Sequence, residues 1–119
     1  MSGGPLVVTS EQVGDALVVR VVGEVDLRTA PRLNSVLALA CETVVPPGVV
    51  VADLTGVTHF GSFGLSAVVI AHHRCLERRS AFRVVAADQL VLRLLHVSGL
   101  DQVLTVVRSL DEVAEAECA

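Results

Sequence analysis

Lysine, tryptophan and tyrosine are absent from this chain, and three phenylalanines are its only aromatic residues. Without lysine there is no P-loop contact to phosphate and no Schiff-base chemistry, and so few rings offer little on which to stack a nucleic-acid base. All nine basic residues are arginine, set against 13 acidic ones, and the formal charge of −4 denies the chain the basic face that nucleic-acid binding normally needs. No nucleic-acid partner is expected. Cysteine is scarce too: Cys41, Cys75 and Cys118 are odd in number and have no paired spacing, so no disulfide framework is implied. Long apolar runs are also missing. The longest near the middle, Ala67 to Ala71, is far short of the ~20 residues of a membrane helix. Met1 to Pro5 has neither the basic start nor the apolar core of a secretory signal, so the expected location is the cytoplasm, away from membranes.

What remains is a chain of 119 residues, 52% hydrophobic, which fits one domain with a single core. That domain is expected to span residues 1–119, with 1–5 and about 116–119 as frayed ends.

The stretch Val49 to Leu76 organises it. A continuous apolar run, Val49 to Leu54, stops at Thr55-Gly56 and gives way after Gly61-Ser62 to a helical pattern with Leu65, Val68, Val69, His72 and Leu76 on one face. This reads as a buried strand, a loop and a helix reaching about Ser80. Ahead of it, Leu6 to Thr9 and Ala16 to Val22 form strands joined through Gly14-Asp15, a pair suited to a hairpin turn. Thr29 is a good N-cap for a first helix with Pro31 in its first turn, a stripe of Leu33, Val36, Leu37 and Ala40, and an end before Pro46. After the central stretch, Phe82 to Ala86 is a short strand. Asp88 caps a third helix with Val91, Leu94 and Leu95 inward and Gly99 at its end. Val103 to Val107 is a fifth strand, and Ser109-Leu110-Asp111-Glu112 is a capping box opening a short fourth helix. The order β-β-α-β-α-β-α-β-α predicts an α/β domain with a mixed, mostly parallel sheet of about five strands and about four helices.

Ser62 is the strongest chemical candidate. A helix N-terminus presents unpaired N–H groups and the positive end of the helix dipole, so a phosphate attached there is held favourably at the surface. The plainer reading is a simple N-cap. A nucleophile-elbow hydrolase built from Ser62, His59 and Asp53 fails on spacing, because that motif needs glycines two residues before and after the serine. Gly64 is present, but position 60 is Phe. His72, His73 and Cys75 suggest a metal, yet only His72 and Cys75 could share a helix face, and two ligands do not make a site. No metal or other cofactor is expected. Arg74, Arg78, Arg79 and Arg83 form a basic cluster that reads first as a solvated face complementing a helix C-terminus, and second as a receiver for an acidic partner. Asp26 suits an Asx-type turn before the first helix, and adjacent parallel strands would bring it near the Thr58 to Phe63 loop.

Three segments together resemble a known family. Gly23 to Leu33 (GEVDLRTAPRL), Val49 to Leu65 (VVVADLTGVTHFGSFGL) and Leu94 to Leu104 (LLHVSGLDQVL) are similar to the STAS domains of bacterial anti-sigma factor antagonists. The resemblance implies a STAS-like fold and a binding switch rather than an enzyme. In that family the unphosphorylated antagonist binds an anti-sigma factor that is also a serine kinase, freeing a sigma factor. Phosphorylation of one serine abolishes binding, and a phosphatase restores it. The family's Asp-Ser-Ser/Thr-Gly-Leu pattern places the phosphorylated serine on Ser62, the glycine on Gly64 and the leucine on Leu65, while Gly61 replaces the acid and Phe63 the small residue. Partner-binding positions implied around it are Asp26, Arg28, Thr58, His59, Phe60, Gly61, Phe63 and Gly64. The departures at 61 and 63 motivate a second reading, a STAS interaction module that is not phosphorylated. A small serine hydrolase is the third.

Overall fold

The computed structural model describes residues 6–111. Strand β1 (Val7–Val13) turns through Gly14, at φ +61°, into β2 (Ala16–Glu24), and Val13 faces Ala16 across the two-residue turn. Helix α1 (Ala30–Thr43), strand β3 (Val49–His59), helix α2 (Gly61–Glu77), strand β4 (Ala81–Val85) and helix α3 (Gln89–Val97) follow. A single 3-10 turn, Leu100–Gln102, then leads into β5 (Thr105–Val107). The strands lie in chain order in one five-stranded sheet, β1 antiparallel to β2 and the other pairs parallel. The expected fourth helix is entered at Leu110 and Asp111, and its remainder lies outside the described residues, as do the ends expected to fray.

Period-two alternation divides the sheet into two faces. Val19, Val21, Val50, Ala52, Leu54, Phe82 and Val84 belong to the main core, which takes in Leu33, Leu37 and Ala40 of α1, Ala67, Val68 and Ala71 of α2 and Val91 and Leu95 of α3. Val18, Val49, Val51 and Val85 form a smaller cluster with Leu110 packed against it. On that second face the buried Asp53 carboxylate accepts from Arg20 Nε at 3.2 Å and from the Thr55 amide and hydroxyl at 3.0 and 2.7 Å.

Several local expectations hold. The Asp88 carboxylate accepts from the amides of Leu90 and Val91, capping α3, and Gly99 ends it at φ +80°. Others are corrected by packing. Strand β3 does not stop at Thr55-Gly56 but runs on to His59, because β2 continues beside it, with Val22 opposite Gly56 and Glu24 opposite His59. Gly56 is there for close approach: a β-carbon would lie 2.9 Å from Val22 Cγ2. The buried line of α2 is Gly64, Ala67, Val68, Ala71 and Cys75, whereas Leu76 is 56% exposed. Small residues let α2 lie close to both α1 and the sheet, which turns its bulkier apolar side chains outward. Leu94 of α3 is likewise partly exposed, and β5 begins at Thr105 because Val103 closes the 3-10 turn.

His72 sits partly buried on α2 with its Nδ1 enclosed and without a hydrogen-bond partner. Burial, then the neighbouring His73 and Arg83, hold its imidazole below the ordinary value of 6.5. A folded-state pKa depressed in this way means the unfolded chain takes up the proton first. Stability is therefore expected to fall as pH drops below about 6.5 toward the folded-state value. Denaturant titrations of wild type and His72→Gln should show a smaller acid-side loss in the variant; equal slopes would remove His72 as the cause.

Candidate functional site

The carboxyl ends of β2 and β3 lie side by side, and Val25 N donates to His59 O at 2.7 Å, so the two loops that follow share one edge of the sheet. The first loop is closed on itself. Asp26 Oδ1 accepts from the amides of Arg28 and Thr29 at 2.9 and 3.0 Å, while the buried Thr29 hydroxyl donates to Glu24 O at 2.8 Å and accepts from the Asp26 amide at 2.9 Å. Those contacts, the Thr29 amide foremost, hold the Asp26 carboxyl below the usual carboxylate range. The Asx turn read from the sequence is present, and it fixes the entry to α1. Thr29 holds the N-cap position without a side-chain capping bond, since its hydroxyl serves the loop.

The second loop is nearly absent, because β3 passes into α2 through Phe60 alone. Phe60 occupies the cap position, and its ring is buried in the core, 2% exposed. Gly64 lies directly beneath that ring: a β-carbon there would stand 2.5 Å from Phe60 Cδ1. Two of the expected contact residues, Phe60 and Gly64, are thus interior, and they shape the surface from below. Gly61 adopts φ +61°, and a β-carbon on it would lie 3.4 Å from His59 Nε2, which sets the His59 imidazole beside the helix start.

Ser62 is therefore not an N-cap. It lies one position inside α2, exposed, and no side chain caps the helix. Gly64 is the first residue whose amide reaches back to a carbonyl of this segment, that of Phe60, so the amides before it are open at the dipole's positive end. No acidic residue occupies this first turn. Phe63 beside it is 44% exposed, and Thr58, His59 and Arg28 are on the surface.

A cleft of about 470 Å³, mostly apolar, opens next to this turn between Thr58, His59 and Phe60 and the α3 residues Leu90, Leu94 and Val97. Sequence reasoning missed these α3 residues as surface. The signal was legible, since 90, 94 and 97 recur at helical spacing as a second stripe beside Val91 and Leu95. The hydrolase arrangement is not assembled: Asp53 lies on the opposite face, held by Arg20 and Thr55 rather than by His59. Among the described residues no group of three or more His, Cys, Asp or Glu side chains is placed to hold a metal ion, and no helix is long and apolar enough to cross a membrane.

These features define a class of small α/β domain whose distinctive chemistry is an uncapped helix start on an open surface, bordered by an apolar cleft. The STAS domain family matches residues 7–113, and the chain belongs to that family. It is 28% identical over 103 residues, 87% of this chain and 70% of the relative, to Rv2638 of Mycobacterium tuberculosis, provisionally named an anti-anti-sigma factor. It is 25% identical over 91 residues, 76% of this chain and 71% of the relative, to the anti-sigma-F factor antagonist RsfA of the same organism. The crystal structure of an anti-sigma factor antagonist from Mycobacterium paratuberculosis superposes with a TM-score of 0.86 at 29% identity, covering 94% of this chain and 93% of that one.

Proposed function

We propose that this protein is an anti-sigma factor antagonist: it binds an anti-sigma factor that is also a serine kinase, frees a sigma factor, and is switched off by phosphorylation of Ser62 and restored by a phosphatase. One observation carries the reading. In a chain whose relatives are named as antagonists, the motif serine is exposed at an uncapped helix start where a phosphate is electrostatically favoured. Incubation with such a kinase and ATP, followed by peptide mass mapping, is expected to place one phosphate on Ser62. A phosphate elsewhere, or none with an active kinase, would overturn the reading.

The partner surface is Ser62 and Phe63 with Arg28, Thr58, His59 and Gly61, continued by the cleft along α3. Leu90→Ser and Val97→Ser, at positions 69% and 75% exposed, should leave stability within about 0.5 kcal/mol, as usual for surface changes. Each should weaken binding to the anti-sigma factor by about 10-fold if its apolar contact is buried there. Titration calorimetry measures the second effect and thermal unfolding the first. Unchanged affinity in both variants would remove α3 from the interface.

A second reading is favoured by Gly61 and Phe63, which give the first turn a left-handed glycine and an exposed ring instead of an acid and a small residue. In it the protein is an unphosphorylated interaction module anchored by Phe63, consistent with aromatic enrichment at interface centres. Phe63→Ala would then weaken binding, while Ser62→Ala and Ser62→Asp would bind alike.

A further inference from the structure

Cys41 and Cys75 stand 34 residues apart in the chain, yet α1 and α2 bring their Sγ atoms to 3.2 Å, both side chains fully buried. The Cys41 thiol also donates to Ala71 O at 3.6 Å. Arg78 reaches over from the end of α2, its Nε and Nη2 donating to the carbonyls of Cys41 and Glu42 at 3.1 and 3.0 Å, which ties the two helix ends together around the pair. A cleft of about 260 Å³ opens between the same helices, lined by Leu37, Ala38, Ala71 and Arg74. Leu37 and Ala71 lie one turn before Cys41 and Cys75 respectively, so on each helix the cleft reaches to within one turn of the buried pair.

We propose that this pair is a redox modification site, at which hydrogen peroxide converts Cys41 and Cys75 into a reversible intramolecular disulfide. The environment divides the two roles. The contact between the two thiols lowers Cys41 from the ordinary thiol value, with Arg74 and Arg78 nearby adding to the effect, and the same contact together with burial pushes Cys75 up. Cys41 is thus the thiol that loses its proton and attacks. Its sulfur takes one oxygen of the peroxide, the O–O bond breaks, and the other oxygen leaves as water after gaining a proton. Cys75 then gives up its proton as its sulfur attacks Cys41 Sγ. The S–O bond breaks, and that oxygen also leaves as water. Two thiols and one peroxide become one disulfide and two waters. The bond links α1 to the helix that carries Ser62.

The test uses the wild-type chain, reduced, desalted, exposed to hydrogen peroxide and then denatured in N-ethylmaleimide. Trypsin cleavage after Arg74 separates the two cysteines, and peptide mapping without reductant reads the outcome. A cross-linked pair of peptides containing Cys41 and Cys75, lighter than their sum by two hydrogen atoms, lost on dithiothreitol treatment and formed within one chain, is the expected result. Full alkylation of both residues after peroxide would overturn the proposal. So would irreversible oxidation of Cys41 with Cys75 alkylated, a disulfide to Cys118, or a link between chains.

Discussion

Phosphorylated on Ser62, the protein is expected to bind its anti-sigma factor at least about 100-fold more weakly while keeping its fold. The phosphate adds about −1.5 to −2 charges at neutral pH. In the free protein this charge meets the open amides and dipole of α2, in a turn without acidic residues, so Tm should move by no more than a few degrees. In a complex that buries Ser62, the same charge must be desolvated, and an uncompensated buried charge costs about 3–5 kcal/mol. That range corresponds to a loss of about 100-fold or more in affinity. Ser62→Asp, with less charge and a shorter reach, should show the same direction at smaller size. Ser62→Ala should bind as the unmodified protein and lose less than the ~1 kcal/mol of a deleted N-cap, because the hydroxyl does not hold that position. Calorimetric titration of the phosphorylated and unmodified forms decides the matter, and equal dissociation constants would end the switch hypothesis.

The largest effect on stability is expected one residue before the left-handed glycine. Phe60→Ala removes a ring that is 2% exposed and joins β3, α2 and the core, and truncations of this kind cost about 3–5 kcal/mol. For a domain of this size that lowers Tm by about 10–20 °C. Gly64→Ala attacks the same contact from the other side. Alanine favours the helix by about 1 kcal/mol over glycine, but its β-carbon would sit 2.5–2.7 Å from three ring atoms, and overpacking of a filled core costs about 1–3 kcal/mol. The double variant carries the test. With the ring gone, the β-carbon at 64 has space, so Phe60→Ala with Gly64→Ala should be more stable than the sum of the two single losses predicts. Strict additivity in denaturant titration would mean that the ring does not rest on Gly64.

Much of the site could be read from neighbours in sequence. The Asx turn at Asp26, the cap at Asp88, the turn at Gly99 and the strand-to-helix passage around Ser62 all depend on groups within about four residues of one another, the range over which turn and cap chemistry acts. The cap position that sequence assigns to Ser62 falls two residues earlier, on Phe60. Phe60 carries no capping side chain, and an apolar residue takes that place only because the core holds its ring. Motif position likewise makes Phe60 and Gly64 contact residues, yet both are interior, because motif position says which residues matter and not which side of the surface they lie on.

The amino-acid sequence alone determined the order of the elements from β1 to β5, the hairpin at Gly14, the STAS resemblance and the place of Ser62 at the start of a helix, because periodicity and turn chemistry are properties of short segments. Tertiary structure alone decided the rest. The length of β3 follows from β2 beside it, and the buried face of α2 from α1 and the sheet together. The outward stripe of α3 and the contact of Cys41 with Cys75 are decided the same way, by partners distant in the chain. Burial is a property of such partners. A helix with apolar residues on more than one side can turn several faces inward, and only the surfaces packed against it choose among them.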